Sequence, residues 1–443
     1  MPSHPRSSAL TGLLLILVAG ILLRVAFVAS VPIPPVSDFA RYVEVATNLA
    51  NGQGLQVAGT PFIGQPPLYP AALGAWFSAF GAHVAAGKAL NLLLGSATLL
   101  LWAFASSRSG MRRSWQFASL ALLAFHPALI AYTGVLGTET LAVFLAVLAF
   151  ALACLPMWMP VSGILGVVLA LIALNRPQLL PLPIGVVFCL LLGRFDLPRV
   201  RSCLVMLLAF GAVLLPWTLR NEALFDHAIP VSANSGYTLL VNNNADNQTG
   251  GWMPLSRVPL SAQDLKRFQQ EADLAPAFLA GGDEDAKFLQ WTPAADGVAR
   301  SIALDWMSEH PQSVLRLAAM RIKASMDPAT LLYWPFIDVE GAPAWLGWVV
   351  GLLDVLLVLL AAMGAVRAGL QLRQLSLATL LALGMLGLGW LSIAVFEGQG
   401  RYLIPMLPAM LWLLAAPYRD YRNVCRTATG HPSVDTGKVS STS

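Results

Sequence analysis

The sequence predicts an all-α polytopic membrane protein of about ten transmembrane helices, with juxtamembrane helices and a mixed loop subdomain on one face. Three observations carry that prediction. Hydrophobic residues make up 57% of the 443 positions and charged residues only 11%, against about 25% charged in a soluble domain. Mean hydropathy is +0.67. Apolar runs near the ~20 residues that a spanning helix needs recur along most of the chain.

The runs fall at 9–31, 84–106, 115–133, 140–156, 161–175, 178–193, 202–219, 343–366, 375–396 and 402–417. The stretch 67–81 is also apolar, but it is short and bracketed by Pro66, Pro67 and Gly81, which suits a re-entrant or interfacial helix. Basic loops decide the count. Arg108, Arg112 and Arg113 fall in one loop, Arg194, Arg199 and Arg201 in a second, Arg367 and Arg373 in a third, and Arg419, Arg422 and Arg426 begin the tail. With ten spans all four lie on the side of both termini, which the positive-inside rule makes cytoplasmic. An eleventh span at 67–81 would split them between two faces. The first run has Arg6 before it and small residues near Ala29 and Ser30, as a cleavable signal would. Its length and the nine runs that follow favour an uncleaved anchor.

On this topology the chain divides into four parts. An N-terminal transmembrane module occupies 1–219, with a first external loop at 32–83. An external loop subdomain follows at 220–342, then C-terminal transmembrane helices at 343–417 and a Ser/Thr-rich tail at 418–443 that is expected to be disordered. The early part of the large loop is rich in Asn and Gly and reads as turns with two short strands. Asn247-Gln248-Thr249 matches a glycosylation sequon, a common chance triplet. From Ser261 the pattern turns helical, with apolar spacing over 294–309 and 312–326 broken at His310-Pro311.

Cys154, Cys189, Cys203 and Cys425 lie at cytoplasmic ends of runs or in the tail, so no disulfide framework is expected, and their spacing fits no metal. The pI near 9.0 reflects the cytoplasmic arginines and implies no nucleic-acid partner. Gly52-Gln53-Gly54 follows no strand and is not a nucleotide fingerprint. His83, His126, His227 and His310 show no ligand spacing and read as structural.

The residues able to carry chemistry gather at the external ends of the runs. Asp38 follows Pro34-Pro35 and opens a helix over 39–51 whose apolar face, with Tyr42, Val43, Ala46 and Leu49, suits the interface plane. Asp38 has two readings, an N-cap or a catalytic base. Glu139 enters an apolar helix in the turn GVLGTETL, where a carboxylate is costly to desolvate. It too reads either as a cap or as a functional acid. Two carboxylates at that level fit shared general-base work or a divalent cation. Lys88, Arg176, Arg220 and Arg401 lie at the same level. Each could snorkel toward headgroups. Together, on the face that positive-inside bias depletes of arginine, they point to an anionic ligand held by bidentate guanidinium forks. Arg401 leads, because Gly398 and Gly400 give it a flexible approach.

The order of these motifs resembles the GT-C glycosyltransferases that use polyprenyl-phosphate-linked sugars, in particular bacterial relatives of the protein O-mannosyltransferases and the aminoarabinose transferases. The matching pieces are Asp38 with Tyr42, Ala46, Leu49 and Gly52-Gln53-Gly54, then Pro66-Pro67-Leu68-Tyr69-Pro70, then Thr138-Glu139. Arg176-Pro177, Pro216-Trp217-Thr218-Leu219-Arg220-Asn221, the break at His310-Pro311 and Arg401-Tyr402-Leu403-Ile404-Pro405 complete the series. The resemblance implies a GT-C-like bundle in which 39–51 and 67–81 are juxtamembrane helices, Asp38 is the catalytic base and Glu139 the second acidic position. On the charge argument Arg401, Arg220, Lys88 and Arg176 are expected on the donor phosphate, and Tyr42, Gln65, Tyr69 and Tyr402 are expected along the substrate. Many eukaryotic relatives carry an Asp-Glu pair in the first loop, whereas Phe39 follows Asp38 here. The family is divided on metal use, which leaves a divalent cation between Asp38 and Glu139 open.

The expected activity is inverting transfer of a sugar from a polyprenyl-phosphate donor to a hydroxyl of a glycan, lipid or protein acceptor, at the external face of a bacterial inner membrane. Two alternatives remain at this stage. A transporter or flippase of lipid-linked sugars would need ionisable groups near the midplane, for which Asp354 is the main candidate. A polysaccharide polymerase or ligase would depend on an external arginine cluster and a lipid-diphosphate substrate.

Overall fold

The structure is a computed structural model that describes residues 5–193, 196–281, 284, 287, 290–336, 344–370 and 375–415. The readings made for Arg194, Arg373, Cys425, the tail and its arginines lie outside these residues. Each of the ten apolar runs contains helix. Five helices are long and apolar enough to cross a membrane: Leu10–Ser30, Val84–Arg108, Leu197–Phe225, Trp345–Gly369 and Leu377–Val395. A sixth passes as a broken pair, Arg113–Phe125 and Pro127–Gly134, bent by 50°. The runs at Thr138–Ala153, Met159–Asn175, Pro177–Leu191 and Gly400–Ala415 are shorter apolar helices.

In chain order the elements that position the site are α1 (Pro5–Ser30), α2 (Asp38–Ala50), a two-residue hairpin of β1 (Gln56–Val57) and β2 (Thr60–Pro61), α3 (Leu68–Phe80) and α4 (Val84–Arg108). Next come α5 (Arg113–Phe125), α6 (Pro127–Ala131), α7 (Thr138–Ala153), α8 (Met159–Asn175), α9 (Leu182–Gly193) and α10 (Leu197–Phe225). Helices α2 and α3 lie where the sequence places its two juxtamembrane helices, and they pack closely. A Cβ on Gly74 would sit 2.9 Å from the Ala46 carbonyl oxygen, so only glycine lets the two backbones meet.

The bend between α5 and α6 has a cause. Pro127 supplies no N–H, and His126 is extended, so carbonyls at the end of α5 lose their helical donors. Arg24, buried in α1, fills that gap: its guanidinium donates to the carbonyls of Leu123, at 3.0 Å, and Ala124, at 2.7 Å. Freed backbone groups inside a membrane need such partners. His126 itself meets Asp354 at 2.9 Å, with both residues buried. The acid that the transporter alternative relied on is therefore spent on joining two helices.

The large loop is helical rather than mixed. The Asn- and Gly-rich stretch forms α11 (Ser235–Asn242) and turns, and the short strands expected there are absent among the described residues. Asparagine amides stabilise those turns locally. Asn247, the sequon residue, is buried, donates to the carbonyls of Val241 and Gly251 and accepts the amides of Thr249 and Gly250, which leaves no group for a glycan. α12 (Ala262–Ala272) starts on a Ser261/Asp264 capping box. After α13 (Pro276–Ala280) come α14 (Pro293–Glu309), α15 (Pro311–Ser325) and α16 (Pro328–Leu332), with the break at His310-Pro311 as the sequence predicts. Tyr237, Leu240, Phe268, Leu279, Trp291 and Ala299 give this region an apolar core of its own.

α17 (Ala344–Gly369), α18 (Leu377–Val395), a 3₁₀ turn over Gly400–Met406 and α19 (Leu407–Ala415) complete the fold. Arg321 clasps the large loop to the end of α18. It donates to the carbonyls of Asn242, Gly250, Ala394 and Val395 and to the Asn243 side chain. Burial lowers this guanidinium to about 10, still cationic at neutral pH.

Candidate active site

Asp38 is where distant parts of the chain converge. It begins α2 just after Ser37, whose φ of 51° is a left-handed conformation unusual for a non-glycine residue, the kind of strain, about 1–3 kcal/mol, that persists at functional sites. The capping reading does not hold, because no side chain caps this helix. Instead the carboxylate gathers side chains. Oδ1 accepts from Arg41, one turn along the same helix, and from Gln65 Nε2 at 2.8 Å. Oδ2 accepts from Arg401 at 3.3 Å, across 363 positions of sequence. The side chain stays 28% exposed while its partners Arg41 and Arg401 are 13% and 12% exposed. Burial opposes ionisation of Asp38, but Arg401 and Arg41 outweigh it and hold the carboxyl below the usual carboxylate range.

Arg401 sits in an aromatic cage. Its guanidinium carbon lies 5.8, 5.7 and 5.3 Å from the ring centres of Phe39, Trp334 and Tyr402, within cation–π range. Its Nε is buried without a hydrogen-bond acceptor. The glycines before it provide room rather than flexibility. A Cβ on Gly398 would lie 2.2 Å from the Arg321 carbonyl oxygen, and one on Gly400 would lie 2.6 Å from the Leu331 nitrogen. The segment is pressed against α15 and α16, which corrects the expectation of a mobile approach.

Glu139 occupies a different setting. It is in the first turn of α7, caps nothing, and faces Arg176 at 3.1 Å with both residues buried. Its Oε2 has no hydrogen-bond partner, and neither does Oδ1 of Asn175, whose amide donates to the neighbouring Thr138 carbonyl. No hydrogen bond or ion pair joins Glu139 to Asp38 among the described residues. Tyr42 lies between the two settings. Burial first, then the charges of Asp38 and Glu139, push its phenol up and keep it neutral, with Arg401 and Arg176 acting the other way. Tyr42 meets Tyr69 edge to face at 5.8 Å, and the Tyr69 hydroxyl donates to Asn91.

The remaining cations divide. Arg220 donates to the carbonyls of Leu55 and Phe62, at 3.0 and 2.9 Å, and stacks on Trp217 at 4.5 Å. Its fork is occupied in closing the first loop, so it does not offer the free guanidinium expected for a phosphate. Arg176 is likewise committed to Glu139. Lys88, in the first turns of α4, is 9% exposed and has no hydrogen-bond or ion-pair partner among the described residues. Two contributors went unnoticed in the sequence: Arg41 and Trp334. Arg41 had a readable signal, because acid and base at i, i+3 are neighbours on a helix. Trp334 had none.

The donor set does not fit a divalent cation between Asp38 and Glu139. Both oxygens of Asp38 already accept from arginine, and Glu139 is neutralised by Arg176, which leaves no carboxylate pair to balance an ion.

No protein-family model and no curated protein sequence matches the chain. Solved structures do. The archaeal oligosaccharyltransferase AglB from Archaeoglobus fulgidus, in complex with an inhibitory peptide and a dolichol-phosphate, aligns at 12% identity over 93% of this chain and 50% of its own, with a TM-score of 0.46. The same organism's enzyme tethered to an acceptor peptide aligns over 93% and 49% at 0.47 and 12% identity. ArnT from Cupriavidus metallidurans bound to undecaprenyl phosphate aligns at 12% identity over 90% and 77% at 0.43. The chain spans about half the length of the archaeal enzyme. At these scores the likeness is one of chain course, and the chemistry is carried by the side chains described above.

Proposed function

We propose that the protein is a glycosyltransferase that moves a sugar from a polyprenyl phosphate to an acceptor hydroxyl, with Asp38 as general base. The observation that carries this reading is the Asp38 carboxylate itself: ionised, partly open, and bonded to an arginine caged by aromatic rings. The order of motifs along the sequence supports the same class. The acceptor O–H bond breaks and its proton passes to Asp38. The acceptor oxygen bonds to the anomeric carbon from the face opposite the phosphate. The bond from that carbon to the phosphate oxygen breaks, and its electron pair leaves with the phosphate.

Arg401 serves two anions in turn. In the free protein it bonds Asp38 and weakens it as a base. A donor phosphate competes for the same guanidinium, and as Arg401 turns to it the Asp38 carboxyl regains basicity where a proton must be taken. Charge developing on the departing phosphate is then met by a donor already in place, often the largest catalytic contribution. Lys88, buried and unpaired, is the second cation for the phosphate. Glu139 acts indirectly, through its field on Tyr42, while Arg176 holds its charge. Tyr402 and Gln65 flank the two reacting groups. The acceptor side is covered by the 220–342 loop, the site faces the periplasm of a bacterial inner membrane, and both termini are cytoplasmic.

The test is transfer by purified protein given a panel of polyprenyl-phosphate sugars and hydroxyl acceptors. The expected result is release of polyprenyl monophosphate by the wild type and its loss in Asp38→Asn. Full activity of Asp38→Asn would overturn the assignment of the base. Release of a diphosphate would move the protein to the polymerase or ligase class.

A further inference from the structure

Glu397 is a half-buried acid four residues before Arg401, to which the mechanism above gives no role. Its two oxygens have separate tasks. Oε2 accepts from the Tyr402 hydroxyl at 2.7 Å and Oε1 from Gln399 Nε2 at 2.5 Å. One carboxylate therefore ties down the residues on both sides of Arg401. The Tyr402 ring it holds is one of the three that face the Arg401 guanidinium, at 5.3 Å. Gly398 and Gly400, on either side of Gln399, lie directly against the backbones of α15 and α16.

We propose that Glu397 is a positioning residue that sets the location of the Arg401 guanidinium for the donor phosphate. The geometry favours this over a direct chemical role, since both oxygens are already engaged. It also favours it over plain packing, because the acid bonds only to residues that flank Arg401. The Glu397 charge further lies within electrostatic range of Arg401. The inference rests on the reading of Arg401 as the phosphate's ligand.

Glu397→Gln is the informative change, because it keeps the side chain's size and removes the charge that makes both bonds charge-assisted. Misplacing a catalytic group by about 1 Å costs up to about 100-fold in rate. The expected result is a kcat drop of roughly 10- to 100-fold with KM for the acceptor within about twofold, the signature of an interaction made in the transition state. Tyr402→Phe, which loses only the hydroxyl, should fall less and in the same way. The double variant should fall by less than the product of the two single effects, because both changes touch the Glu397–Tyr402 bond, whereas independent packing defects would multiply. Binding of undecaprenyl phosphate without sugar supplies an arm free of turnover: Arg401→Gln should weaken it most and Glu397→Gln to a lesser degree. Wild-type kcat and binding in Glu397→Gln, with Arg401→Gln impaired, would overturn this proposal alone, as would multiplying effects in the double variant. A wild-type protein that neither binds the carrier nor uses its sugars would overturn the functional reading and this inference with it.

Discussion

Asp38 and Glu139 are both acids at the head of a helix, each paired with arginine, yet their surroundings differ in kind. The Asp38 side chain is 28% exposed and shared among Arg41, Gln65 and Arg401. Glu139 is 3% exposed at the side chain and pairs with Arg176. A proton acceptor needs a path to its substrate and a charge that can be redistributed when a ligand arrives. Asp38 is partly open and has three partners to exchange. Glu139 is closed off with Arg176, and on the proposed mechanism it acts through its field on Tyr42.

The comparison breaks most visibly at Asp38. Asp38→Asn should reduce transfer by about 10²- to 10⁴-fold, the range for losing a general base; a residual rate near wild type would erase the distinction between the two acids. Next comes Arg401→Gln, expected to cost about 10²- to 10³-fold, as for other groups that meet transition-state charge. Its pH–rate profile sharpens the argument. Arg401 and Arg41 hold the Asp38 carboxyl low, so the acid limb of kcat/KM for the wild type should lie below the ordinary carboxylate range. Removing Arg401 raises that pKa, and the limb should move to higher pH. An acid limb that stays in place would show that Arg401 is not acting on Asp38.

Glu139 should fail differently. Glu139→Gln or Arg176→Met leaves a buried charge without its partner, a loss of about 3–5 kcal/mol, seen as a fall in the melting temperature of the purified protein. Pairing the two changes should recover part of the loss; no recovery would mean that the pair is not the source of the stability. Arg220→Met should have the smallest effect, about 1–3 kcal/mol for the unpaired carbonyls it leaves behind, with donor KM unchanged because its fork is occupied by Leu55 and Phe62. A several-fold rise in donor KM would return Arg220 to the phosphate.

The frame of this site was legible from composition and hydropathy. The apolar runs, the two juxtamembrane helices and the break at His310-Pro311 follow from local pattern. Asp38 does not: the residues alone leave it open between a helix cap and a base, and its bonds to Gln65 and Arg401 are what set the cap aside. The division of labour among the arginines was not legible. Arg220 and Arg401 both lie at the end of an apolar run, and only the carbonyls of Leu55 and Phe62 on one, against Asp38 on the other, tell them apart. Those partners are long-range and leave no periodic trace. The glycines near Arg401 misled for a related reason. Glycine in a sequence signals either freedom or lack of space, and the backbones of Arg321 and Leu331 that decide between them belong to other helices. The Asn- and Gly-rich stretch misled through composition, since asparagine side chains there bond backward onto the turn of α11 in place of strand partners.

The bond between Arg401 and Asp38 joins positions 363 residues apart. During synthesis Asp38 leaves the ribosome first, and Arg401 follows 363 residues later. A nascent chain can insert its first helices and bury Glu139 with Arg176, but its Asp38 has only Arg41 and Gln65 for company. Chains truncated before Arg401 should accumulate in the membrane without the Asp38–Arg401 bond, so the proposed activity has a built-in delay: it waits for the segment that carries Arg401.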